Sequence, residues 1–280
     1  MYRINSKIGI ALLALLVTVL MTVSVQAAGG KVLKMATTTS TDNTGLLDEL
    51  APQFQAATGI ELQWTATGTG KALKLGENCD VDVLMVHAPA AEKKFVADGF
   101  GVDRREIMYN DFVIIGPAGD PAGIKGKSIK EALSAIKASQ SVFVSRGDNS
   151  GTHKKELSLW KAAELPVPEK ESWYVQTGQG MLATINVAAE RNGYTMTDRG
   201  TYIKYEDNMK GNPPLKIVVE GDKALLNQYS VIAVNPSRCS NVQNDLAQAF
   251  INWIVSAEAQ KAIADFKLLG KPLFTPNAGM

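Results

Sequence analysis

Ser145-Arg146-Gly147-Asp148-Asn149-Ser150-Gly151-Thr152-His153 joins a short apolar run, Val142-Phe143-Val144, to a segment carrying Leu157, Leu159 and Trp160. The run reads as a buried strand and residues 154–163 as a helix, so the motif is a strand-to-helix turn. Ser150 is the natural N-cap, and Gly151 and Thr152 leave backbone N–H groups free at the helix start. Those N–H groups and the helix dipole both favour negative charge. Arg146 adds a planar fork that matches pairs of oxyanion oxygens. An ordinary capped helix with a surface arginine reads the same way locally, so the rest of the chain must decide.

Upstream, the same strand-turn-helix pattern repeats with different residues. Residues 32–36 read as a strand, and Thr37-Thr38-Thr39-Ser40-Thr41 follows before an amphipathic helix over residues 44–57. Hydroxyls in such a run exceed what capping alone requires. Residues 60–66 read as a second strand, followed by Thr67-Gly68-Thr69-Gly70 and a short helix. The loop lacks the third glycine of a dinucleotide fingerprint and the Gly-Lys-Ser/Thr ending of a P-loop, which disfavours nucleotides. Residues 81–86 form a continuous apolar strand ended by His87-Ala88-Pro89. Repeated β-turn-α units predict an α/β fold with a parallel sheet. Ligands on such sheets bind beyond the carboxyl ends of strands, where the hydroxyl run, the Gly-rich loop and His87 all fall.

Residues 103–117 read as a strand leaving one domain for another, and a Pro/Gly-rich loop follows. Gln176-Thr177-Gly178-Gln179-Gly180-Met181 opens a further helix and is a second candidate anion-facing terminus, with Gly178 its candidate donor. Residues 194–205 read as extended, with a turn at Asp198-Arg199-Gly200. The chain is expected to return to the first domain near residues 221–230. The expected organisation is a leader over residues 1–27, one lobe of residues 28–111 with 224–280, and a second of residues 112–223.

The leader has Arg3 and Lys7 ahead of an apolar stretch too short to span a bilayer, and Val25-Gln26-Ala27 supplies small residues for cleavage after Ala27. Export to the periplasm is therefore expected. Losing Arg3 and Lys7 takes the formal charge from +1 to −1. A surface so close to neutral argues against nucleic acid, so any anion preference must be local. Cys79 and Cys239 are the two cysteines. In an exported chain they can form one disulfide or remain buried thiols. The two histidines, His87 and His153, show no metal-ligand spacing, so neither a metal nor a cofactor is expected.

On these motifs the chain resembles the two-lobed solute-binding proteins of bacterial ABC importers that take tetrahedral oxyanions. Arg146 followed four residues on by Ser150-Gly151-Thr152 matches the phosphate receptors, as do Thr39-Ser40 and Thr67 to Gly70 after the first two strands. Thr37 to Ser40 and Ser145 to Glu156 resemble the tungstate-binding receptors more closely. The resemblance implies a type II periplasmic-binding-protein fold, each lobe a mainly parallel sheet flanked by helices, joined by a two-segment hinge. It implies a monomeric receptor that takes tungstate or a similar oxyanion to membrane permease subunits, with tungsten present only as the bound oxyanion. The ligand set it implies is Thr38, Thr39, Ser40, Thr67, Thr69, Gly70, His87, Arg146, Ser150, Gly151, Thr152 and Gly178. Phosphate receptors carry an aspartate where this chain has His87, and that aspartate accepts a ligand proton. A histidine can donate instead. The exchange implies a fully ionised dianion: tungstate, molybdate or sulfate.

Two other classes remain to be weighed. Ser150, His153 and Asp148 could be cast as a hydrolase triad. However, residues this close on one helical turn do not meet as nucleophile, base and orienter, and no G-x-S-x-G elbow is present. A receptor for a small organic solute would want an aromatic cradle beside the arginine, and Trp173 and Tyr174 could supply one.

Overall fold

A computed structural model describes residues 30–279, and the expected leader lies outside the described residues. β1 (Lys31–Thr38) pairs in parallel with β2 (Ile60–Thr67) on one side and β3 (Val83–Val86) on the other. Helices make the crossovers: α1 (Thr39–Asp42), α2 (Leu46–Thr58) and α3 (Thr69–Glu77). All four residues of β3 are fully buried, as a strand covered on both faces must be. α4 (Pro89–Ala97) then leads into the long β4 (Gly101–Pro117).

The chain continues through α5 (Ile129–Ser139), β5 (Phe143–Ser145), α6 (Gly151–Ala162), β6 (Tyr174–Gln176), α7 (Met181–Glu190) and β7 (Tyr194–Asp198). α8 (Arg199–Asn208), β8 (Leu215–Val219) and β9 (Leu226–Val234) follow. The C-terminal part adds α9 (Asn244–Ile254), α10 (Ala257–Asp265) and the short strands β10 (Lys267–Leu268), β11 (Lys271–Pro272) and β12 (Thr275–Pro276).

The main strand order is β2-β1-β3-β9-β4-β7-β5-β6, with β8 and β12 also on β4. β5 pairs in parallel with β6 and β7, so each half is mainly parallel. β9 and β4 run antiparallel to their neighbours. β4 changes partner along its length: Gly101 to Asp111 face β9, and Phe112 to Ile115 face β7. That switch makes the fold two-lobed. Each half of the sheet carries apolar clusters on both faces. Phe54, Phe250 and Trp253 pack on one face of the first half, and Phe95 with Leu84 on the other. Phe143, Trp160 and Trp173 fill one face of the second half, and Ile185 with Tyr202 the other.

Two sequence expectations are corrected. Residues 199–208 form α8, not an extended arm, because Asp198 caps the helix and accepts from both the N–H and the hydroxyl of Thr201. Nor does the hydroxyl run lie between elements: Thr37 and Thr38 complete β1, and Thr39 opens α1.

Cys79 and Cys239 form a disulfide across a sequence separation of 160, beside the cluster that holds Phe95. Cross-linking residues so far apart restricts the unfolded chain. The Cys79→Ala/Cys239→Ala protein is expected to lose about 2–5 kcal/mol of unfolding free energy by urea denaturation. Reductant should destabilise the parent comparably and leave the double variant unchanged; equal stabilities of parent and variant would contradict this.

Candidate functional site

The turn after β5 is held open by its own side chains. Gly147 has φ +61 and Asn149 φ +59, so the chain twice visits the left-handed region. At Gly147 a Cβ would also lie 2.8 Å from Cβ of Gln176, so only glycine fits. Asp148 accepts the Ser150 N–H at 3.1 Å and Arg146 Nη2 at 2.5 Å. Burial alone would raise the Asp148 carboxyl, but the Ser150 and Arg146 donors hold it below its ordinary value. Arg146 is thereby braced across the turn, and its Nε is buried without a partner.

Ser150 is the N-cap of α6 and accepts the His153 N–H at 3.3 Å. His153, 7% exposed, accepts the Asn149 N–H on Nδ1 at 3.0 Å. The imidazole thus fixes the left-handed Asn149. Ser150 Oγ and His153 Nδ1 each accept a backbone N–H of the turn and do not bond each other as nucleophile and base would. One turn along α6, Glu156 is buried and accepts from Ser145 Oγ at 2.6 Å, Tyr174 OH at 2.7 Å and Trp160 Nε1 at 3.2 Å. Trp173 and Tyr174 pack in the core around Trp160, which removes them as a cradle beside the arginine.

Across the sheet, Thr38 ends β1 and its Oγ1 accepts the Thr41 N–H at 3.2 Å. His87 follows β3. Its Nε2 lies 3.0 Å from Thr38 Oγ1 and 2.9 Å from Ser40 Oγ, and its Nδ1 lies 3.0 Å from Asn227 Oδ1. An amide oxygen only accepts, so Nδ1 carries the proton and Nε2 of the neutral ring is an acceptor. Burial pushes the imidazole pKa below its usual value, against opposing pulls from Asn227 and Asp198. With the ring neutral, Nε2 faces the hydroxyls as an acceptor and the donating nitrogen faces the sheet.

One cavity of about 630 Å³ gathers these elements. Its lining includes Thr38, Thr39 and Ser40 from β1 and α1, and Thr67 and Thr69 around the start of α3. His87 stands between them, and Arg146, Ser150, Gly151 and Thr152 face them from the turn before α6. Gly70 lines an adjoining cavity of about 770 Å³ that shares Thr67, Thr69, His87, Ser150 and Gly151. The two form one cleft. Gly178 lies outside both linings, and its N–H donates to Arg146 O at 2.8 Å. The start of α7 reaches the cavity instead through Gly180 and Met181.

The sequence and the fold match known proteins. A family model described as a PBP superfamily domain matches residues 25–258. The chain is 57% identical over 239 residues to the tungstate-binding protein TupA of Campylobacter jejuni, spanning 85% of this chain and 88% of that one. The chain belongs to the TupA family of the PBP superfamily. A solved structure of TupA from Desulfovibrio alaskensis superposes with a TM-score of 0.87 at 72% identity, covering 89% of this chain and 99% of that one. The crystal structure of the tungstate ABC transporter from Geobacter sulfurreducens gives a TM-score of 0.73 at 49% identity, covering 84% and 98% of the two chains.

The cavity also holds residues that the motifs of this TupA-family chain do not announce: Asn43, Asp198, Thr201, Lys204 and Leu268. Lys204 Nζ, on α8, donates to Asn43 O at the end of α1 and so reaches across the cleft. A signal for Asp198 existed in Asp198-x-x-Thr201, a helix-cap spacing. Lys204 had none, because its neighbour is 161 residues away.

Glu156 yields a pH prediction. Burial pushes its carboxyl above the ordinary value of 4.5, although Ser145, Tyr174 and Trp160 all donate to it. A carboxyl that holds its proton more tightly when folded contributes less stability as pH rises from the unfolded value through the folded one. Glu156→Gln does not titrate. The parent's stability relative to this variant is expected to fall as pH rises from 4.5 towards neutrality, read by urea midpoints. A difference constant over that range would contradict the assignment.

Proposed function

We propose that the protein captures tungstate between its two lobes and delivers it to the membrane subunits of an ABC importer. The lobes are residues 28–111 with 224–280, and residues 112–223. The site is periplasmic, reached through the leader of residues 1–27, and the receptor acts as a monomer. One observation carries the reading: hydroxyls, helix-start N–H groups and a braced guanidinium from separate turns line a single cavity. Such a set offers donors on several sides and no reactive pair, which suits binding rather than turnover. The ligand contacts are Thr38, Thr39, Ser40, Thr67, Thr69, Ser150, Gly151 and Thr152, with Arg146 supplying full charge and His87 shaping the floor. The relatives named for tungstate support the choice of anion.

Energetics are compatible. Nanomolar binding needs about 12 kcal/mol net, and hydrogen bonds to a charged group give roughly 1.5–3 kcal/mol each before association costs. Titration calorimetry with tungstate, molybdate, sulfate and phosphate tests the reading, with tungstate expected to bind. Arg146→Gln is expected to cost about 2–5 kcal/mol of binding, because a desolvated charge loses its partner. Arg146→Lys should cost less, keeping the charge without the fork. The Gln variant should still fold, since Arg146 belongs to a turn. Undiminished tungstate affinity in Arg146→Gln would place the site elsewhere.

Donors from both lobes imply closure on the anion. Small-angle scattering is expected to show a more compact particle at saturating tungstate. Identical profiles with and without it would count against closure.

A further inference from the structure

Behind the cavity runs a hydrogen-bonded chain that no ligand contact explains. His87 Nδ1 donates to Asn227 Oδ1 at 3.0 Å, and Asn227 Nδ2 donates to Asn110 Oδ1 at 2.8 Å. Asn110 and Asn227 are register partners on β4 and β9, each 5% exposed. The imidazole stacks on Tyr229, with ring centroids 4.7 Å apart. The ring is therefore clamped in one orientation, with Nδ1 committed as a donor.

Nε2 is not equally committed. It offers one in-plane lone pair, yet two hydroxyl oxygens, Thr38 Oγ1 and Ser40 Oγ, lie within 3.0 Å. While the ring is neutral, a hydroxyl that donates to Nε2 turns its hydrogen away from the cavity. A proton on Nε2 reverses this: the ring donates, and the hydroxyl that had donated to it has its hydrogen released, Thr38 Oγ1 having Thr41 Oγ1 at 2.7 Å as a second neighbour and Ser40 facing the cavity. Asn227 Oδ1 accepts from Nδ1 in either state, so nothing behind the ring opposes the change.

We propose that His87 is a positioning residue that takes up a proton as the oxyanion enters, turning the hydroxyl that donates to Nε2, from Thr38 or Ser40, away from the imidazole and to the ligand. This rests on the oxyanion reading above. The proton comes from solvent and adds to Nε2; no other bond is made or broken. A dianion in the cavity stabilises the imidazolium that burial disfavours in the free protein.

The charged groups around the ring leave room for such a change. Asp198, at the start of α8, favours the imidazolium. Arg146 and Lys204 line the same cavity and oppose it. On the outer side, Lys71, Lys154 and Lys155 line the adjoining cavity that His87 shares, and they oppose it too. Glu92 of α4 accepts the Ala88 N–H and pairs with Arg104, while Asp111 of β4 pairs with Arg199. Asp42 of α1 accepts from Trp64 Nε1. An arriving dianion therefore adds the negative charge that the ring otherwise meets mainly in Asp198.

Tungstate calorimetry on the exported protein in buffers of different ionisation enthalpy tests this. Protons taken up per tungstate should rise towards one as pH falls to about 6, and affinity should climb at most about tenfold per pH unit. His87→Gln should bind more weakly and lose the uptake, its remaining heat correcting for protonation of tungstate itself. Ring ¹⁵N spectra give a second reading, with the His87 signals identified by their absence in His87→Gln. They should show a neutral Nδ1–H ring in the free protein and a doubly protonated ring with tungstate. Tungstate binding with no buffer dependence beyond that of His87→Gln, or with a ring that stays neutral, overturns this proposal and leaves the binding reading intact. Absence of tungstate binding overturns both.

Discussion

Both halves of the molecule hang on β4. One continuous strand trades β9 for β7 as its neighbour between Asp111 and Phe112. Pairing runs up to the switch from both sides, with irregularities against β9 between Val102 and Arg105 and between Glu106 and Met108, so the two halves share the register of one strand. Arg199 braces the same point, donating to both oxygens of Asp111 at 2.5 and 2.6 Å and to Glu220 at 2.7 Å. Because the parallel strands of the two halves end towards the junction, their turns converge there. The cavity is the consequence of that topology before any side chain is chosen.

What the side chains add is direction, not net charge. The chain carries a formal net charge of only +1. Arg146, the cationic centre of the turn before α6, is itself held by Asp148. The pair leaves partial charges, hydroxyls and helix-start N–H groups to define the field. Preorganised donors of this kind lose little in reorganisation when an anion arrives, because the turn is already held by its own acceptors. Asp148 serves Ser150, His153 serves Asn149, and Glu156 serves Ser145. Three residues of the longest motif thus shape the turn from behind.

Local chemistry was legible in the sequence; long-range neighbours were not. The strand-turn-helix units and the Ser150 cap follow from apolar runs and capping residues that lie within a dozen positions of one another. α8 was misread because Tyr202, Ile203 and Tyr205 are β-formers, and burial of those side chains overrode their propensity. The histidine substituted for an acidic residue was visible at position 87, but its hydrogen-bonding sense was not. That sense is set by Asn227, 140 residues away, and by Asn110 behind it. No periodicity or spacing encodes an amide that faces a ring only after β3, β9 and β4 have aligned.

The same alignment explains why polar residues are tolerated at the centre of the sheet. Asn110 and Asn227 sit where apolar residues would pack without cost, and an unpaired amide there would lose roughly 1–3 kcal/mol. Asn227 donates to Asn110 Oδ1, and its own oxygen accepts from His87. Replacing the pair by leucines would spare the fold this risk but would leave the imidazole free to choose its tautomer. Retaining two buried amides at the strand switch therefore makes physical sense only if the orientation of the ring matters. The strand switch and the floor of the cavity are one hydrogen-bonded unit, so the junction that brings the turns together also determines which way their hydroxyls can point.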